Sequence, residues 1–309
     1  MTTPAAPPRS TRLAGYFFAL GAGTLWGTTG PLSTKLYGEG AAITGIGFWR
    51  ILIGTIGLAL FGLAADRELF RIDRRGLWMV GLLGGALVAL FEVAYQFGIA
   101  GSGVAGAAAL LYTAPVVVAV LAAPILGERL TLTKLALAAV VMVGAALTVT
   151  GGSHGSAGAT AGASLAQGVA GGILAAASYA GTTLLARWAV PRYGVAKVLF
   201  WEILGGTLLL AVVLPLAGHA PAAPPTAGAW VYTMALTIGT VWLANFAFFS
   251  AARRIEAAPT AVAATIEPVM ATLLALVFVG QTLEPTGWLG LGLVVGGVAA
   301  GYWREAFGA

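Results

Sequence analysis

Long apolar runs separated by short polar breaks dominate this chain. Ten such runs lie near positions 14–34, 41–64, 76–98, 103–125, 132–151, 167–187, 195–217, 227–251, 257–280 and 285–303. A bilayer hydrocarbon core about 30 Å thick is crossed by about 20 residues of helix, so each run predicts one transmembrane helix. The breaks are rich in Gly, Pro and charged residues, which end helices. The pattern therefore predicts an all-α integral membrane protein with ten transmembrane helices.

The chain also repeats itself. A shift of 153 residues, without a gap, places Pro115 on Pro268, Gly127 on Gly280 and Leu130 on Leu283. Each copy holds five predicted helices, an odd number, so the second copy must cross the membrane in the opposite direction to the first. Inverted repeats are typical of secondary transporters, in which one half rocks against the other around a site at mid-membrane.

This repeat divides the chain into four segments. We predict a disordered basic N-terminal lead over 1–13, a first five-helix repeat over 14–151, a flexible periplasmic linker over 152–166 and a second, inverted five-helix repeat over 167–305. The linker prediction rests on composition, because a segment of Gly, Ser and Ala with one His has little to pack.

Composition and charge fix the class and the orientation. The chain is 59% hydrophobic and 9% charged, with a mean hydropathy of +0.92 and a net charge of +5. With a cytoplasmic N-terminus, only Lys35 falls outside, and the inside holds the remaining basic residues at the helix ends: Arg9, Arg12, Arg67, Arg71, Arg74, Arg75, Arg129, Lys134, Arg187, Arg192, Lys197, Arg253, Arg254 and Arg304. The positive-inside rule then predicts cytoplasmic N- and C-termini. The charge is explained without a nucleic-acid partner, and we expect a multi-pass protein of the inner membrane.

Several short sequences resemble a known family. They are Trp26-Gly27, Phe48-Trp49-Arg50, the Pro115 helix followed by Leu126-Gly127-Glu128-Arg129-Leu130-Thr131, and Gly144. In order, spacing and duplication they resemble the EamA-type transporters of the drug/metabolite transporter superfamily, across both repeats. The resemblance implies ten helices and a central cavity bounded mainly by helices 1, 3, 4, 6, 8 and 9. The chain is most similar to bacterial exporters of aromatic and other neutral amino acids. It departs from the family pattern at Gly280-Gln281, where the second repeat usually has Gly-Glu.

Five polar groups fall inside the predicted spans: Arg50, Glu92, Glu202, Asn245 and Glu267. A charge at the bilayer centre costs about 2.5–3.5 kcal/mol even on lenient scales, so each should face protein or a water-filled cavity. The repeat shift takes Glu92 to Asn245, so two equivalent helices offer an acid or an amide beside aromatic rings. Such a cavity suits an apolar or aromatic molecule that carries an amine. Our candidate substrate-binding residues are Trp26, Glu92, Tyr95, Gln96, Tyr112, Tyr179, Trp242, Asn245, Phe246 and Glu267.

Two further pairs have predicted roles. Arg50 and Glu202 occupy matching places in the two repeats and are candidates for a structural ion pair, with a role in substrate or proton movement as the alternative. Pro115 and Pro268 remove a backbone hydrogen bond and are candidate hinges, with a static kink as the alternative.

Transport of a small amphiphilic metabolite is therefore the leading hypothesis, with outward movement of an amino acid by alternating access as its specific form. A proton-coupled antiporter of drugs or cationic compounds is the alternative within transport, and a channel or a purely structural membrane protein is the alternative outside it. An enzyme fits poorly, because the only aspartates, Asp66 and Asp73, and the only histidines, His154 and His219, lie in loops. The chain has no cysteine, and no metal or cofactor is expected. We expect the substrate and membrane lipid as partners, and the sequence leaves coupling to protons open.

Overall fold

A computed structural model of the protein describes residues 9–150, 163–270, 273–274 and 284–307, and every regular element in these ranges is helical. The α-helices are α1 (Arg9–Trp26), α2 (Thr29–Gly38), α3 (Ile43–Ala64), α4 (Arg74–Gly76), α5 (Gly85–Leu111), α6 (Ala114–Leu126), α7 (Leu132–Thr150), α8 (Leu165–Tyr193), α9 (Val195–Leu216), α10 (Ala227–Leu236), α11 (Asn245–Ala252), α12 (Ala257–Ala264) and α13 (Pro285–Phe307). Two π-helical segments, Leu77–Gly84 and Thr237–Ala244, join α4 to α5 and α10 to α11.

The long apolar helices agree with a chain that crosses the membrane several times. Five of those described are long and apolar enough to span a bilayer: Ile43–Ala64, Arg74–Ser102, Leu165–Tyr193, Val195–Leu216 and Ala227–Ala252. Three shorter helical stretches are also apolar: Ala114–Leu126, Leu132–Leu147 and Pro285–Gly301. The full set of ten spans stays a prediction.

Helix α5 continues through the predicted break at Gly101-Ser102-Gly103. The chain nevertheless reverses its direction there. A Cβ placed on Gly98 would lie 3.2 Å from the Cβ of Ala107. Nine residues of straight helix would separate these positions by about 13 Å, at 1.5 Å per residue. The first repeat therefore contains a helical hairpin with its tip at this glycine pair, as the sequence predicted.

The first predicted span is not one helix. The chain breaks at Gly27 and Thr28, between α1 and α2, where the N–H of Thr28 bonds to the carbonyl of Leu25 at 3.1 Å, three residues back. The expectation of a single helix over 14–34 was wrong, because Pro31 has no N–H to continue the hydrogen-bond ladder. Helix α1 also begins at Arg9, so the predicted disorder of the lead is wrong for residues 9–13.

Three predicted features lie wholly or partly outside the described residues. These are residues 1–8 of the predicted lead, 152–162 of the predicted linker, and Gly280-Gln281. Ser164 forms a capping box with Gln167, and α8 begins at Leu165, two residues before the predicted start of the second repeat.

Both candidate hinge prolines follow a break in their helix. The turn at Tyr112 and Thr113 precedes Pro115, and the equivalent turn at Thr265 and Ile266 precedes Pro268. Pro115 therefore lies near the start of α6, where a missing N–H costs little, and not in a continuous bent helix. The position of the irregularity was predicted from the sequence, and its role as a hinge stays a prediction.

Glycines hold the two repeats close together. Helix α5 runs antiparallel to α8, with Gly101 against Gly168 near one end and the hydroxyl of Ser178 donating to the carbonyl of Leu87 farther along. A Cβ on Gly85 would lie 2.6 Å from the backbone carbonyl carbon of Gly205 on α9. Small residues at such crossings let helix backbones approach closely in a membrane.

Gly85→Ala is therefore expected to destabilise the protein by about 1–3 kcal/mol, the usual cost of overpacking. The added methyl group meets backbone, which cannot rotate away. Gly239→Ala is the matched control, because a Cβ at Gly239 meets nothing within 4 Å. Thermal unfolding in detergent compares the two variants. Equal unfolding midpoints would contradict close packing at Gly85.

One end of the bundle carries a network of charged contacts between the repeats. The loop after α6 begins at Gly127, whose φ of 71° is readily adopted only by glycine. Glu128 then accepts a hydrogen bond from the N–H of Ala257 at 3.0 Å and pairs with Arg187 at 3.4 Å. Burial raises the pKa of the Glu128 carboxyl, and these two partners act in the opposite direction. The Gly127-Glu128-Arg129 turn thus connects the first repeat to the second through the contacts of Glu128.

Candidate functional site

A central cavity of about 80 Å³ lies between the two repeats. Its walls come from both repeats and combine acids, an arginine, hydroxyls and aromatic rings: Trp26, Thr29, Arg50, Ile51, Val88, Phe91, Glu92, Tyr95, Leu111, Tyr179, Thr182, Leu199, Glu202, Ile203, Thr240, Val241, Asn245, Phe248, Phe249 and Glu267. A mostly apolar cavity with a few converging polar groups is the usual form of a small-molecule site.

Arg50 and Glu92 form a buried ion pair in the wall of this cavity. Nε of Arg50 lies 3.3 Å from Oε2 of Glu92, and both side chains are at least nine-tenths buried. These two atoms attract as charges and are not aligned as a hydrogen bond. Nη2 of Arg50 donates to the hydroxyl of Thr240 at 2.9 Å, so the guanidinium links α3, α5 and the second repeat. Each charge compensates the other, as burial requires.

The predicted pairing of Arg50 with Glu202 is wrong. Among the described residues Glu202 makes no ion pair, and its Oε1 is buried without a hydrogen-bond partner. Glu202 lies on α9 against Gly84, where its side chain meets the start of α5. The repeat symmetry suggested Glu202 as the partner, but α5 brings Glu92 closer to the guanidinium. Glu202 thus reaches the cavity as an acid without a cation beside it.

Glu267 is the third acid of the cavity. It is the first residue after the turn at Thr265 and Ile266, so the break in its helix presents it to the cavity. The cavity therefore contains two acids, Glu202 and Glu267, in addition to the Arg50–Glu92 pair, whose two charges cancel. Two acids in one small apolar volume attract a cation or retain protons.

Aromatic rings from both repeats form one side of the cavity. Trp26, Tyr179 and Phe248 contact one another, with ring centroids 5.1 to 5.9 Å apart. The indole N–H of Trp26 donates to the carbonyl of Thr240 at 3.2 Å, which fixes its ring. Phe91 and Tyr95 stack at 5.4 Å. These rings offer faces to an apolar or aromatic group.

Six of the ten candidate substrate-binding residues line the cavity: Trp26, Glu92, Tyr95, Tyr179, Asn245 and Glu267. Four do not. Gln96 is fully buried and bonds to the hydroxyl of Tyr37 at 2.7 Å, and Tyr112 belongs to the apolar core around α1 and α7. Trp242 donates its indole N–H to the carbonyl of Gly54 at 3.0 Å, and Phe246 is 48% exposed on the outer surface.

The sequence did not single out several residues of the cavity wall. Three of them are aromatic: Phe91, Phe248 and Phe249. Phe248 and Phe249 are the repeat equivalents of Tyr95 and Gln96, so the duplication itself was a signal for these two. The hydroxyls of Thr29, Thr182 and Thr240 carried no such signal, because threonine is common in apolar helices.

The fold and this cavity define a multi-pass membrane transporter, and comparison with known proteins identifies its family. The chain matches the EamA-like transporter family twice, over residues 13–150 and 166–302, and it belongs to that family. A small-molecule substrate follows from this membership, and the family and its relatives are described as transporters, not enzymes.

Two curated relatives and one solved structure are similar to this chain over most of its length. A "Probable terminal-alkyne amino-acid exporter" from Streptantibioticus cattleyicolor is 28% identical over 261 residues, which cover 84% of each chain. An "Uncharacterized transporter" from Archaeoglobus fulgidus is 27% identical over 283 residues, 91% of this chain and 93% of the relative. A crystal structure at 21% identity superposes with a TM-score of 0.72, covering 92% of this chain and 95% of the other. This last likeness concerns the fold.

Proposed function

We propose that the protein exports aromatic and other neutral amino acids across the inner membrane by alternating access. The observation that carries the proposal is the joint presence of aromatic rings and unpaired acids in one cavity between the repeats. A relative named as an amino-acid exporter supports the same substrate class.

Each part of an amino acid has a suitable partner in the cavity. Glu202 and Glu267 attract the ammonium group, because the charge of Glu92 is already balanced by Arg50. The cluster of Trp26, Tyr179 and Phe248 receives an apolar or aromatic side chain. The carboxylate is attracted to the start of α2 at Thr29, since the first N–H groups of a helix favour an anion.

Alternating access requires two halves that move against each other. Ten spans in two inverted repeats, with both termini in the cytoplasm, supply these halves. Three observations support this arrangement: the double family match, equivalent helix breaks before Pro115 and Pro268, and charged contacts concentrated at one end of the bundle. We assign Pro115 and Pro268 as the hinges, because the helices are already interrupted beside them and can bend there at low cost.

A proton-coupled antiporter of cationic compounds is the second candidate. Glu202 and Glu267 favour it, because buried acids without a cation can exchange protons for a positively charged substrate. In this case the aromatic cluster would receive the flat body of a drug.

Counterflow into proteoliposomes distinguishes the two. We expect vesicles preloaded with phenylalanine to accumulate labelled phenylalanine and tryptophan in a saturable way, with threonine as a smaller neutral substrate. A quaternary ammonium dye should not compete. Dye movement that is lost on collapse of a proton gradient, without amino-acid exchange, would overturn the amino-acid proposal in favour of the antiporter.

A further inference from the structure

A second cleft lies away from the central cavity, at the end of the bundle that carries most of the charged contacts. It has a volume of about 560 Å³ and is formed by α1, the loop after α6, the start of α7, α12 and the end of α13. Its lining contains four cations and one carboxylate: Arg12, Arg129, Lys134, Arg304 and Glu256. The cleft therefore has a formal excess of three positive charges.

The one carboxylate of this cleft is already engaged. Glu256 forms an ion pair with Lys134, and the ammonium of Lys134 also donates to the carbonyl of Arg129 at 2.9 Å. Arg129 and Arg304 both line the cleft and are both exposed. Guanidinium groups bind phosphate through two parallel hydrogen bonds, so these two arginines suit a phosphate group in charge and in hydrogen-bonding chemistry.

The position of the cleft favours a lipid over a soluble anion. Large apolar side chains next to its lining residues point outward: Phe17 is 75% exposed, Leu132 is 84% exposed and Trp303 is 64% exposed. In a membrane protein such side chains contact lipid, and tryptophan marks the headgroup region. The remaining lining of the cleft is mostly apolar and includes Leu137, Val262 and the rings of Tyr16 and Pro259.

We propose that this cleft binds the headgroup of an anionic phospholipid. The lipid phosphate contacts Arg129 and Arg304, and an acyl chain lies along the apolar wall beside α7 and α12. Basic clefts between helices at the cytoplasmic side of a membrane hold anionic lipid headgroups in this way. Because α12 ends three residues before Glu267, a lipid bound here also stabilises the helix that leads to one of the cavity acids.

The test is thermal unfolding of delipidated protein in a neutral detergent, with phosphatidylglycerol, phosphatidylcholine or sodium phosphate added. We expect phosphatidylglycerol alone to raise the unfolding midpoint, because a ligand that binds only the folded state stabilises it. In the double variant Arg129→Gln/Arg304→Gln the half-saturating concentration should rise by at least about tenfold, since each charged hydrogen bond contributes about a factor of ten.

The matched control is Arg67→Gln/Arg74→Gln, which removes two exposed arginines outside the cleft, one between α3 and α4 and one at the start of α4. It should respond to phosphatidylglycerol like the unchanged protein. A second variant, Arg129→Lys/Arg304→Lys, keeps the charge and the fold and should still weaken binding, because lysine cannot bind phosphate with two parallel bonds. Three results would overturn the proposal: an equal response of the cleft variant, an equal loss in the control, or the same stabilisation by inorganic phosphate.

Discussion

Glu267→Gln is expected to reduce amino-acid counterflow at least about tenfold while leaving the folded yield unchanged. A charged hydrogen bond to a substrate ammonium contributes about 1.5–3 kcal/mol, and the neutral amide cannot replace that attraction. The fold does not depend on the charge, because Glu267 makes no ion pair among the described residues. Replacing a buried acid by an amide of the same shape removes a desolvation cost.

The measurement for this prediction is the initial rate of counterflow, normalised to the amount of monodisperse protein after purification. Glu284→Gln serves as the control, since Glu284 is an exposed acid before α13 and far from the cavity lining. It should retain the full rate. If Glu267→Gln exchanges phenylalanine at the unchanged rate, Glu267 does not bind the substrate.

Arg50→Met is expected to lower the free energy of unfolding by about 3–5 kcal/mol, because it leaves Glu92 buried without its cation. Glu92→Leu should lower the free energy of unfolding by a similar amount, because it leaves Arg50 buried without its anion. The double variant Arg50→Met/Glu92→Leu should regain most of this loss, since apolar residues of similar volume often replace a buried ion pair without penalty.

Thermal unfolding in detergent measures each single variant and the double variant. The second double variant, Arg50→Met/Glu202→Leu, separates the two possible partners of Arg50. It should remain as unstable as Arg50→Met, because Glu202 lies in the same cavity without contacting the guanidinium. Rescue by Glu202→Leu, and not by Glu92→Leu, would show that Arg50 pairs with Glu202 after all.

The apolar runs predicted the positions of several helices well, because contact with lipid is nearly the only factor that determines which segments are long and apolar. The run near 195–217 became α9 over Val195–Leu216, and the run near 41–64 became α3 over Ile43–Ala64. The duplication located both proline-associated breaks for a similar reason, since a missing N–H acts locally. The same local signal was present at Pro31, where the first predicted helix proved to be two.

The inward faces of the helices were harder to predict. In a soluble protein an aromatic ring usually indicates the core, but in a membrane both the cavity and the lipid accept it. Phe246 therefore lies on the outer surface, while Phe248, two residues away, lines the cavity. The partner of Arg50 depends on how α5 packs against α3, a contact between distant residues that no local pattern encodes.

Under the proposed function, the amino acid binds in the cavity between the repeats. The most direct test of this binding site uses the natural absence of cysteine, because one introduced thiol reports on one place. Thr182→Cys puts the thiol in the cavity wall, and Thr131→Cys puts it in the basic cleft. The rate of modification by a small maleimide is measured with and without phenylalanine.

We predict that saturating phenylalanine slows modification of Thr182→Cys several-fold and leaves Thr131→Cys unchanged. Glycine, which has no side chain for the aromatic cluster, should protect much less. Equal modification rates at Thr182→Cys, with and without an amino acid that the same preparation transports, would show that the substrate binds elsewhere.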